Sequence, residues 1–293
     1  AYLAEYAVKY FGEEQLESNS FTYRLKTILD NVMYLMKHIM EELSQSEFFV
    51  ADCELKIGED IPSYTIVLPD GHKIAVCGSV DRVDIMQRAD ITYLRIIDYK
   101  TGTKQFKLSD ILYGINLQML LYLHSIEASG GDKYGEIVPA GILYMPATVP
   151  YISSDSLKSI DKLPDELNKK LKMNGLLLKD TEIIHGMDKT DVATYIPVKI
   201  KAGEPVSSTS LATLAEFGKI FKKVDMLIAE MGKNIYNGNI EAKPLKGGHD
   251  SCEYCPYDSV CAYRQSNPIT CFSVDNKTVI EEITNEINGK EEE

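Results

Sequence analysis

The chain has 293 residues, 44% of them hydrophobic, which is enough for one large domain or two small ones with a substantial core. Its formal net charge of −13 argues against a free-standing DNA-binding protein, which usually presents a basic face. No apolar run approaches the roughly 18 residues of a membrane span, and no secretory signal is visible. Because the chain begins with Ala-Tyr-Leu rather than Met, we expect it to be part of a longer protein, and we expect that protein to be cytoplasmic.

The first third of the chain predicts a helical segment followed by strands. Residues 48–57 alternate as a strand, with Cys53 expected on the apolar face and Glu54 on the polar face. Two hairpins follow, one turning at Pro69-Asp70-Gly71 and one joining residues 79–86 to residues 92–100. Before them, residues 1–47 carry apolar side chains at helical spacing, namely Phe21, Leu25, Ile28, Val32, Leu35 and Ile39.

The remainder alternates between helix, strand and loop. Residues 108–129 predict one helix, capped by Ser109, and residues 138–146 a buried strand. We expect five segments: a helical segment 1–47, a core 48–150, an insertion of loops and short strands 151–205, a long helix with a cysteine loop 206–271, and an acidic tail 272–293. Residues 280–293 hold six Glu against one Lys, so we expect a frayed, solvated helix or disorder there. This order predicts an α/β fold, with a mixed sheet flanked by helices.

Two acids and a lysine are expected at one end of the second hairpin. Asp81 lies on its first strand and Asp98 on its second, and Lys100 shares a strand face with Asp98. Mg²⁺ takes one or two carboxylates together with waters and substrate phosphate, so these acids are candidate metal ligands, with the Tyr99 carbonyl as a third. Lys100 would then orient a water molecule or neutralise developing charge. The alternative for an isolated Asp-x-Lys is a surface ion pair.

A helix after this hairpin carries two further polar candidates. Gln118 and Tyr122 are four residues apart, so they share one helical face. That face either contacts a DNA strand or buttresses the acids, or it simply packs on the sheet.

The motifs "GSVDRVD" (78–84), "IIDYKTG" (96–102) and "QMLLY" (118–122), in this order, resemble the RecB-type branch of the PD-(D/E)XK nucleases. The resemblance implies that fold family's restriction-endonuclease-like α/β core. It implies that Asp81 and Asp98 are metal-binding acids, Lys100 is the catalytic lysine and Glu54 is an earlier acid of the site. Gln118 and Tyr122 match the helix motif, and Arg82 and Asp84 have supporting roles. This branch often has an upstream helical His, but the surroundings of His38 do not match that motif, so a third side-chain ligand is expected before residue 1.

Three cysteines form a C-x₂-C-x₅-C cluster at Cys252, Cys255 and Cys261, which indicates metal ligation in a chain without signs of export. Zinc and a [4Fe–4S] cluster both need four ligands, and Cys271 is the local candidate for the fourth. The layout resembles the C-terminal nuclease domain of the AddB family, in which an iron–sulfur cluster takes its fourth cysteine from far upstream. By that resemblance the cluster would be incomplete in this chain. Cys53 and Cys77 are expected to fill the core.

The resemblance implies a metal-dependent DNA exonuclease domain of an AddAB-type helicase–nuclease, which acts on single strands during double-strand-break resection and recombinational repair. It implies Mg²⁺ or Mn²⁺ as cofactor, an AddA-type helicase–nuclease subunit as heterodimer partner, and single-stranded and double-stranded DNA ends as substrates. One alternative is a CRISPR-associated RecB-like exonuclease, a class that lacks the insertion. Another is a non-catalytic DNA-repair interaction domain, which the presence of Asp98 and Lys100 disfavours.

Overall fold

The computed structural model describes residues 2–12, 18–102, 105–150, 163–207, 209–261 and 268–291. The part of the expected insertion that covers residues 151–162 lies outside these ranges, as does the segment 262–267 after the third cysteine. None of the helices within the described ranges has the length and hydrophobicity needed to cross a membrane.

A mixed six-stranded sheet forms the centre of the molecule, as the sequence predicts. Its strands, in chain order, are β1 (Phe49–Ile57), β4 (Gly78–Arg88), β5 (Ile91–Lys100), β6 (Glu136–Pro146), β7 (Asn174–Leu178) and β10 (Leu211–Ala212). They lie side by side in this same order. The pairs β5–β6 and β7–β10 are parallel, and the other neighbours are antiparallel.

Three small two-stranded sheets surround the central one. They pair β2 (Tyr64–Val67) with β3 (Lys73–Val76), β8 (Lys199–Lys201) with β9 (Glu204–Val206), and β11 (Leu245–Gly247) with β12 (Ile269–Cys271). The described helices are α1 (Tyr2–Phe11), α2 (Asn19–Ser44), a 3₁₀ helix (Leu108–Tyr113), α3 (Gln118–Ser129), α4 (Gly131–Tyr134), α5 (Leu163–Leu171), α6 (Thr181–Met187), α7 (Leu214–Tyr236), α8 (Asp258–Cys261) and α9 (Asn276–Glu291).

The core lies around β5 and β6, whose sequences are almost continuously apolar. Leu94, Ile96 and Ile97 of β5 are fully buried, and Leu123 of α3 packs in the same core. Central strands that are covered on both faces lose the in–out alternation of a half-exposed strand, which explains the long apolar runs. The acidic and basic residues of β4 and β5 therefore stand out as exceptions.

The helix predicted over residues 108–129 is divided in two. The 3₁₀ helix ends at Gly114, whose φ of 68° places it in the left-handed region, and α3 begins only at Gln118. Glycine adopts that conformation without a Cβ clash, so it ends the first helix. Ser109 is buried within the 3₁₀ helix and is not an N-cap, so that expectation is wrong.

The expectation of a frayed or disordered acidic tail is also wrong. Residues 276–291 form α9, and Val279, Ile283 and Ile287 are buried at the four-residue spacing of one helical face. Glu286 accepts a hydrogen bond of 2.5 Å from Lys223 of α7. The apolar spacing decided the outcome, because three buried side chains outweigh the acidic residues around them.

Helix α2 does not bury the apolar stripe that the sequence predicts. The side chains of Ile28 and Val32 are about half exposed, whereas His38 and Glu42 are buried near the C-terminal end. The helix therefore packs on the domain through its last turns, and a carboxylate enters the interior there.

Candidate active site

Asp81 and Asp98 lie beside each other where β4 and β5 meet, as the hairpin pattern predicts. The register pairs Arg82 with Ile97, and the two acids occupy the next facing positions. Asp81 accepts a hydrogen bond of 2.9 Å from the backbone amide of Tyr99. Asp81 is half-buried, and Asp98 is buried. The hairpin therefore places two carboxylates together at one end of the central sheet.

Lys100 lies against Asp98 on the same strand face. Its Nζ is 2.5 Å from Asp98 Oδ2 and 5.6 Å from the ring centre of Tyr144 on β6. Oδ2 of the buried Asp98 is therefore ion-paired with Lys100. Burial and the Asp98 charge raise the pKa of Tyr144 to about 12.

This donor set fits a Mg²⁺-type ion better than zinc. Within the described residues, no three His, Cys, Asp or Glu side chains are placed to hold a metal ion together. Mg²⁺ needs only one or two carboxylates, because waters and substrate phosphate complete its octahedron. Asp81 and Asp98 are two carboxylates at one end of the sheet and match that requirement, with Lys100 already paired to Asp98.

Glu54 lies next to Asp81 but turns away from the acid pair. The pairs Cys53–Arg82 and Leu55–Val80 flank it, so it faces Asp81 across β1 and β4. Its φ of 54° is left-handed, and its exposed side chain accepts a hydrogen bond of 3.1 Å from Ser79. A non-glycine residue in this region costs of the order of 1–3 kcal/mol and often marks a functional site.

The same conformation corrects the expectation for Cys53. A register shift between Val50 and Asp52, followed by left-handed Glu54, interrupts the alternation of β1. Cys53 is therefore exposed, and Cys77 is exposed as well. Neither fills the core as the sequence suggested.

Tyr122 packs directly over Gly78, the first residue of the "GSVDRVD" motif. A Cβ atom at position 78 would lie 2.3 Å from the Tyr122 hydroxyl oxygen, which is far inside contact distance. Gly78 is therefore needed for the close approach of α3 to β4. Gln118, the other residue of the helix motif, is exposed at the first position of α3. The structure thus assigns Tyr122 a packing contact and leaves Gln118 open to solvent.

Four buried charges form a closed cluster on the opposite face of the hairpin. Arg82 donates to both Asp84 oxygens at 2.7 and 2.6 Å and to Glu42 at 3.0 Å. Arg95 donates to Asp84 at 3.0 Å and to Glu42 at 2.6 Å. All four residues are at most 2% exposed, and their charges balance. We call them the closed cluster.

Neighbouring charges favour the ionised forms of Asp84 and Arg82 in the closed cluster. Burial opposes the charge of Asp84, but Arg95 and the hydrogen bond from Arg82 hold the pKa of Asp84 below its usual value. Burial likewise opposes the charge of Arg82, but Asp84 and Glu42 raise its pKa overall. A buried cluster that is balanced and hydrogen-bonded tolerates desolvation, whereas an unpaired charge would not.

Tyr99 links the closed cluster to the acid pair. Its hydroxyl accepts a hydrogen bond of 3.4 Å from Arg82, and its backbone amide donates to Asp81. The supporting roles predicted for Arg82 and Asp84 thus have a structural counterpart. Sequence reasoning missed Glu42 and Arg95. An arginine within the apolar strand "YLRII" was the available signal for Arg95, because such a charge needs a buried partner.

A third polar cluster joins α3 to α7. His124 stacks on Phe221 at 4.6 Å and lies within 3.2 Å of Asp225, Tyr64 and Glu127. Although burial opposes protonation, hydrogen bonds to Asp225 and Glu127 raise the pKa of His124 to about 9. The imidazolium therefore bridges two helices and the β2–β3 hairpin at neutral pH. No sequence motif indicated this contact.

The three loop cysteines are not gathered into a ligand group. Cys252 and Cys255 are partly exposed, Cys261 is exposed, and all three are free thiols. Because no three ligand side chains in the described ranges are placed around a common point, the expected convergence of these thiols is not seen. The thiols present therefore do not fit a four-ligand cluster by themselves. Cys271 is buried on β12, and burial raises the pKa of its thiol.

Comparisons with known proteins agree with the motif order. The sequence profile of the PD-(D/E)XK nuclease superfamily matches residues 2–262. The chain is also similar to proteins named as the B subunit of an ATP-dependent helicase/deoxyribonuclease. The protein from Thermoanaerobacter sp. is 38% identical over 246 residues, covering 82% of this chain and 21% of the relative. The protein from Alkaliphilus oremlandii is 36% identical over 275 residues, covering 90% of this chain and 24% of the relative. The chain thus spans about a quarter or less of these relatives.

Proposed function

The chain belongs to the PD-(D/E)XK nuclease superfamily, and from that premise we propose that it is a metal-dependent DNA exonuclease domain of an AddAB-type helicase–nuclease. The observation that carries the proposal is the placement of Asp81, Asp98 and Lys100 at one end of the β4–β5 hairpin. The reaction is hydrolysis of phosphodiester bonds in single strands. The similarity to proteins named as deoxyribonuclease subunits supports this chemistry.

Each residue of the site would have a distinct role in this reaction. Asp81 and Asp98 would hold Mg²⁺ or Mn²⁺, with the Tyr99 carbonyl beside them. When bound, the metal supplies charge stabilisation at the phosphate and lowers the pKa of a bound water. Lys100 holds a proton beside Asp98 and offsets negative charge that develops on the phosphate. Glu54 and Gln118 are exposed and would be the residues that contact an incoming strand, and Tyr122 holds α3 against the hairpin at Gly78.

The setting of the activity follows from the relatives. Their names describe a subunit of a helicase/deoxyribonuclease, so an AddA-type helicase–nuclease subunit is the proposed heterodimer partner. DNA ends, double-stranded or unwound to single strands, are the proposed substrates, and double-strand-break repair in the cytoplasm is the proposed process. The similarity to these relatives favours this assignment over a CRISPR-associated exonuclease, and the intact Asp98–Lys100 pair favours it over a non-catalytic scaffold.

Cleavage of an end-labelled single strand with Mg²⁺ tests the proposal. We expect Asp98→Ala to lower the rate by at least roughly 100-fold, since even outer-shell partners of a metal ligand contribute that much. Asp90→Ala is the matched control, because Asp90 is an exposed aspartate at the opposite end of the same hairpin. Full activity of Asp98→Ala, or equal losses in both variants, would refute the assignment.

We further propose that the cysteine loop contributes three thiolates to a [4Fe–4S] cluster whose fourth ligand lies in the longer protein. The support is the resemblance and the spacing of Cys252, Cys255 and Cys261. Iron and sulfide analysis tests it: this chain should carry less than one cluster, and a longer chain with an upstream cysteine should carry one. If this chain binds stoichiometric iron and Cys271→Ser removes it, the cluster is local and the proposal fails.

A further inference from the structure

A lysine-rich groove lies in a region of the chain to which sequence reasoning assigned no chemistry. Two adjoining cavities, of about 690 and 570 Å³, share Lys169, Lys172 and Lys199, and the second also borders Lys201. These four residues define what we call the lysine groove. They come from α5, the segment before β7, and β8. In a chain with a net charge of −13, four lysines around one depression are an exception that calls for a ligand.

The described lining of the lysine groove contains no acidic residue. Lys169, Lys199 and Lys201 are exposed, and within the described residues no carboxylate lies within ion-pair distance of them. Asp188 is close enough to Lys172 for its charge to raise the pKa of that lysine. The Asp188 carboxylate is buried, however, and already accepts hydrogen bonds from Thr190 and from the amide of Tyr195. The three exposed ammonium groups are therefore available to an anion.

Lys172 builds the groove rather than serving as a free ligand. Its Nζ donates to the carbonyls of Ala193 and Val198 at 2.6 and 2.9 Å, which ties the entry of β7 to the segment before β8. Lys199 directly follows Val198, so this anchor fixes the position of one exposed lysine. Lys169 lies in the last turn of α5, three residues before Lys172. The backbone positions of Lys169 and Lys199 are thus set by the fold.

The backbone that leads into β7 lies at the same end of the central sheet as the acid pair. Asp98 of β5 is in register with Tyr144 of β6, which pairs with Asn174 at the start of β7. Lys172 comes two residues before Asn174. Two strand spacings separate β5 from β7, which is roughly 10 Å. The loop after β5 also reaches β7, since the amide of Phe106 donates to Asn174 at 2.7 Å.

Apolar side chains form the rest of the groove. Val192, Ile200 and Val206 line it, and Val192 is 67% exposed. A small inorganic anion would not contact these apolar side chains favourably. A nucleic-acid strand presents phosphates to cations and the apolar faces of sugars and bases to side chains. The lysines and the apolar side chains of the groove both match that ligand.

Resting on the proposed nuclease function, we infer that the lysine groove binds the backbone of single-stranded DNA outside the site at Asp81 and Asp98. The groove is sequence-independent, because its cations face phosphates and it offers few side chains that could read bases. It gives an otherwise acidic domain a short cationic path. Affinity is modest, because only three exposed lysines contribute and the remainder of the surface repels DNA.

The test compares two triple variants with the same change of charge. One is Lys169→Gln/Lys199→Gln/Lys201→Gln, and the control is Lys26→Gln/Lys73→Gln/Lys233→Gln, which removes exposed lysines from α2, β3 and α7. Fluorescence anisotropy of a labelled single strand of about 20 nucleotides, in EDTA to prevent cleavage, gives the affinity of the full chain between roughly 50 and 200 mM salt, the range over which phosphate contacts weaken.

Three phosphate contacts add about 2 to the slope of log affinity against log salt, which is about 20-fold in affinity over this range. We expect the groove variant to lose that slope and the control to keep it. Equal losses in both variants, no loss in the groove variant, or no binding by the unsubstituted chain at the lowest salt would overturn the inference.

Hydrolysis of bis(p-nitrophenyl) phosphate separates this inference from the proposed function. This small diester needs the acid pair but not the groove, so the groove variant should hydrolyse it at the unsubstituted rate while its KM for a long strand rises. If the unsubstituted chain hydrolyses neither substrate, the nuclease proposal fails and the anisotropy result still decides the groove.

Discussion

The two faces of the β4–β5 hairpin carry charged groups under opposite conditions. On one face, Arg82, Asp84, Arg95 and Glu42 are sealed from solvent, and two positive charges meet two negative charges. On the other face, Asp81, Asp98 and Lys100 leave one negative charge in excess, and Lys100 pairs with Asp98 alone. The balanced set has no net charge to offer a ligand, whereas the excess negative charge of the second set is what the proposed metal would neutralise.

This contrast assigns roles without reference to any relative. The closed cluster joins α2 to β4 and β5. Tyr99 connects this cluster to Asp81, because its hydroxyl accepts a hydrogen bond from Arg82 and its amide donates one to Asp81. The acid pair retains an electrostatic imbalance that a bound metal would relieve. Removing a charge should therefore damage stability on the first face and chemistry on the second.

The largest expected effect is on the closed cluster. Glu42→Gln keeps the shape but leaves two buried arginines with one acid, and breaking a buried ion pair costs about 3–5 kcal/mol. Glu41→Gln is the control, since Glu41 is the next residue on α2 and its side chain is half exposed. Urea denaturation gives both free energies of unfolding. If the two variants are equally stable, the closed cluster does not support the fold.

Lys100 tests the second face. Lys100→Met should lower the rate of cleavage by about 10²–10³-fold, the usual effect of removing one group that stabilises developing charge. Metal affinity measured by calorimetry should stay within a few-fold of the original, because Lys100 is not a ligand. Lys133→Met is the control. Lys133 also pairs with an aspartate at 2.5 Å, but this partner is Asp52, which is not one of the acids of the site. Loss of metal binding together with activity would make Lys100 structural.

Gly78 tests whether α3 must approach the hairpin closely. Gly78→Ala forces a Cβ against Tyr122, and such overpacking costs about 1–3 kcal/mol. In the double variant with Tyr122→Leu the loss should be smaller than the sum of the two single losses. Gly131→Ala is the control, because a Cβ there meets open space. Strictly additive losses in unfolding experiments would show that the contact carries no strain.

The sequence was informative where the structure is local. Asp81 and Asp98 belong to one hairpin, so pairing of adjacent strands was enough to bring them together. Glu42 is 40 residues from Arg82 and meets it only when α2 docks, which no spacing rule encodes. The exposure of Cys53 depends on the left-handed backbone of Glu54, and a sequence pattern does not reveal such a conformation. The number of acidic residues predicted a frayed or disordered tail, but burial of three apolar side chains stabilises α9 despite its acidic face.

The smallest expected effect comes from the His124 cluster, whose cation is a histidine rather than an arginine. Its cation titrates at an accessible pH, whereas arginine does not. The folded pKa of about 9 lies above the ordinary value of 6.5. The contribution to stability is therefore complete below pH 6.5 and is lost as the pH rises through 9.

Thermal unfolding of the unsubstituted chain and of His124→Gln, from about pH 6 to about pH 9.5, measures this contribution. The difference in unfolding free energy should be of the order of 1–2 kcal/mol at the acidic end and should shrink towards the alkaline end, since the neutral ring no longer attracts Asp225 and Glu127. His72→Gln is the control, because His72 is exposed and its partner Asp70 is exposed as well. A difference that stays constant with pH would mean that His124 acts through its stacking on Phe221 rather than through its charge.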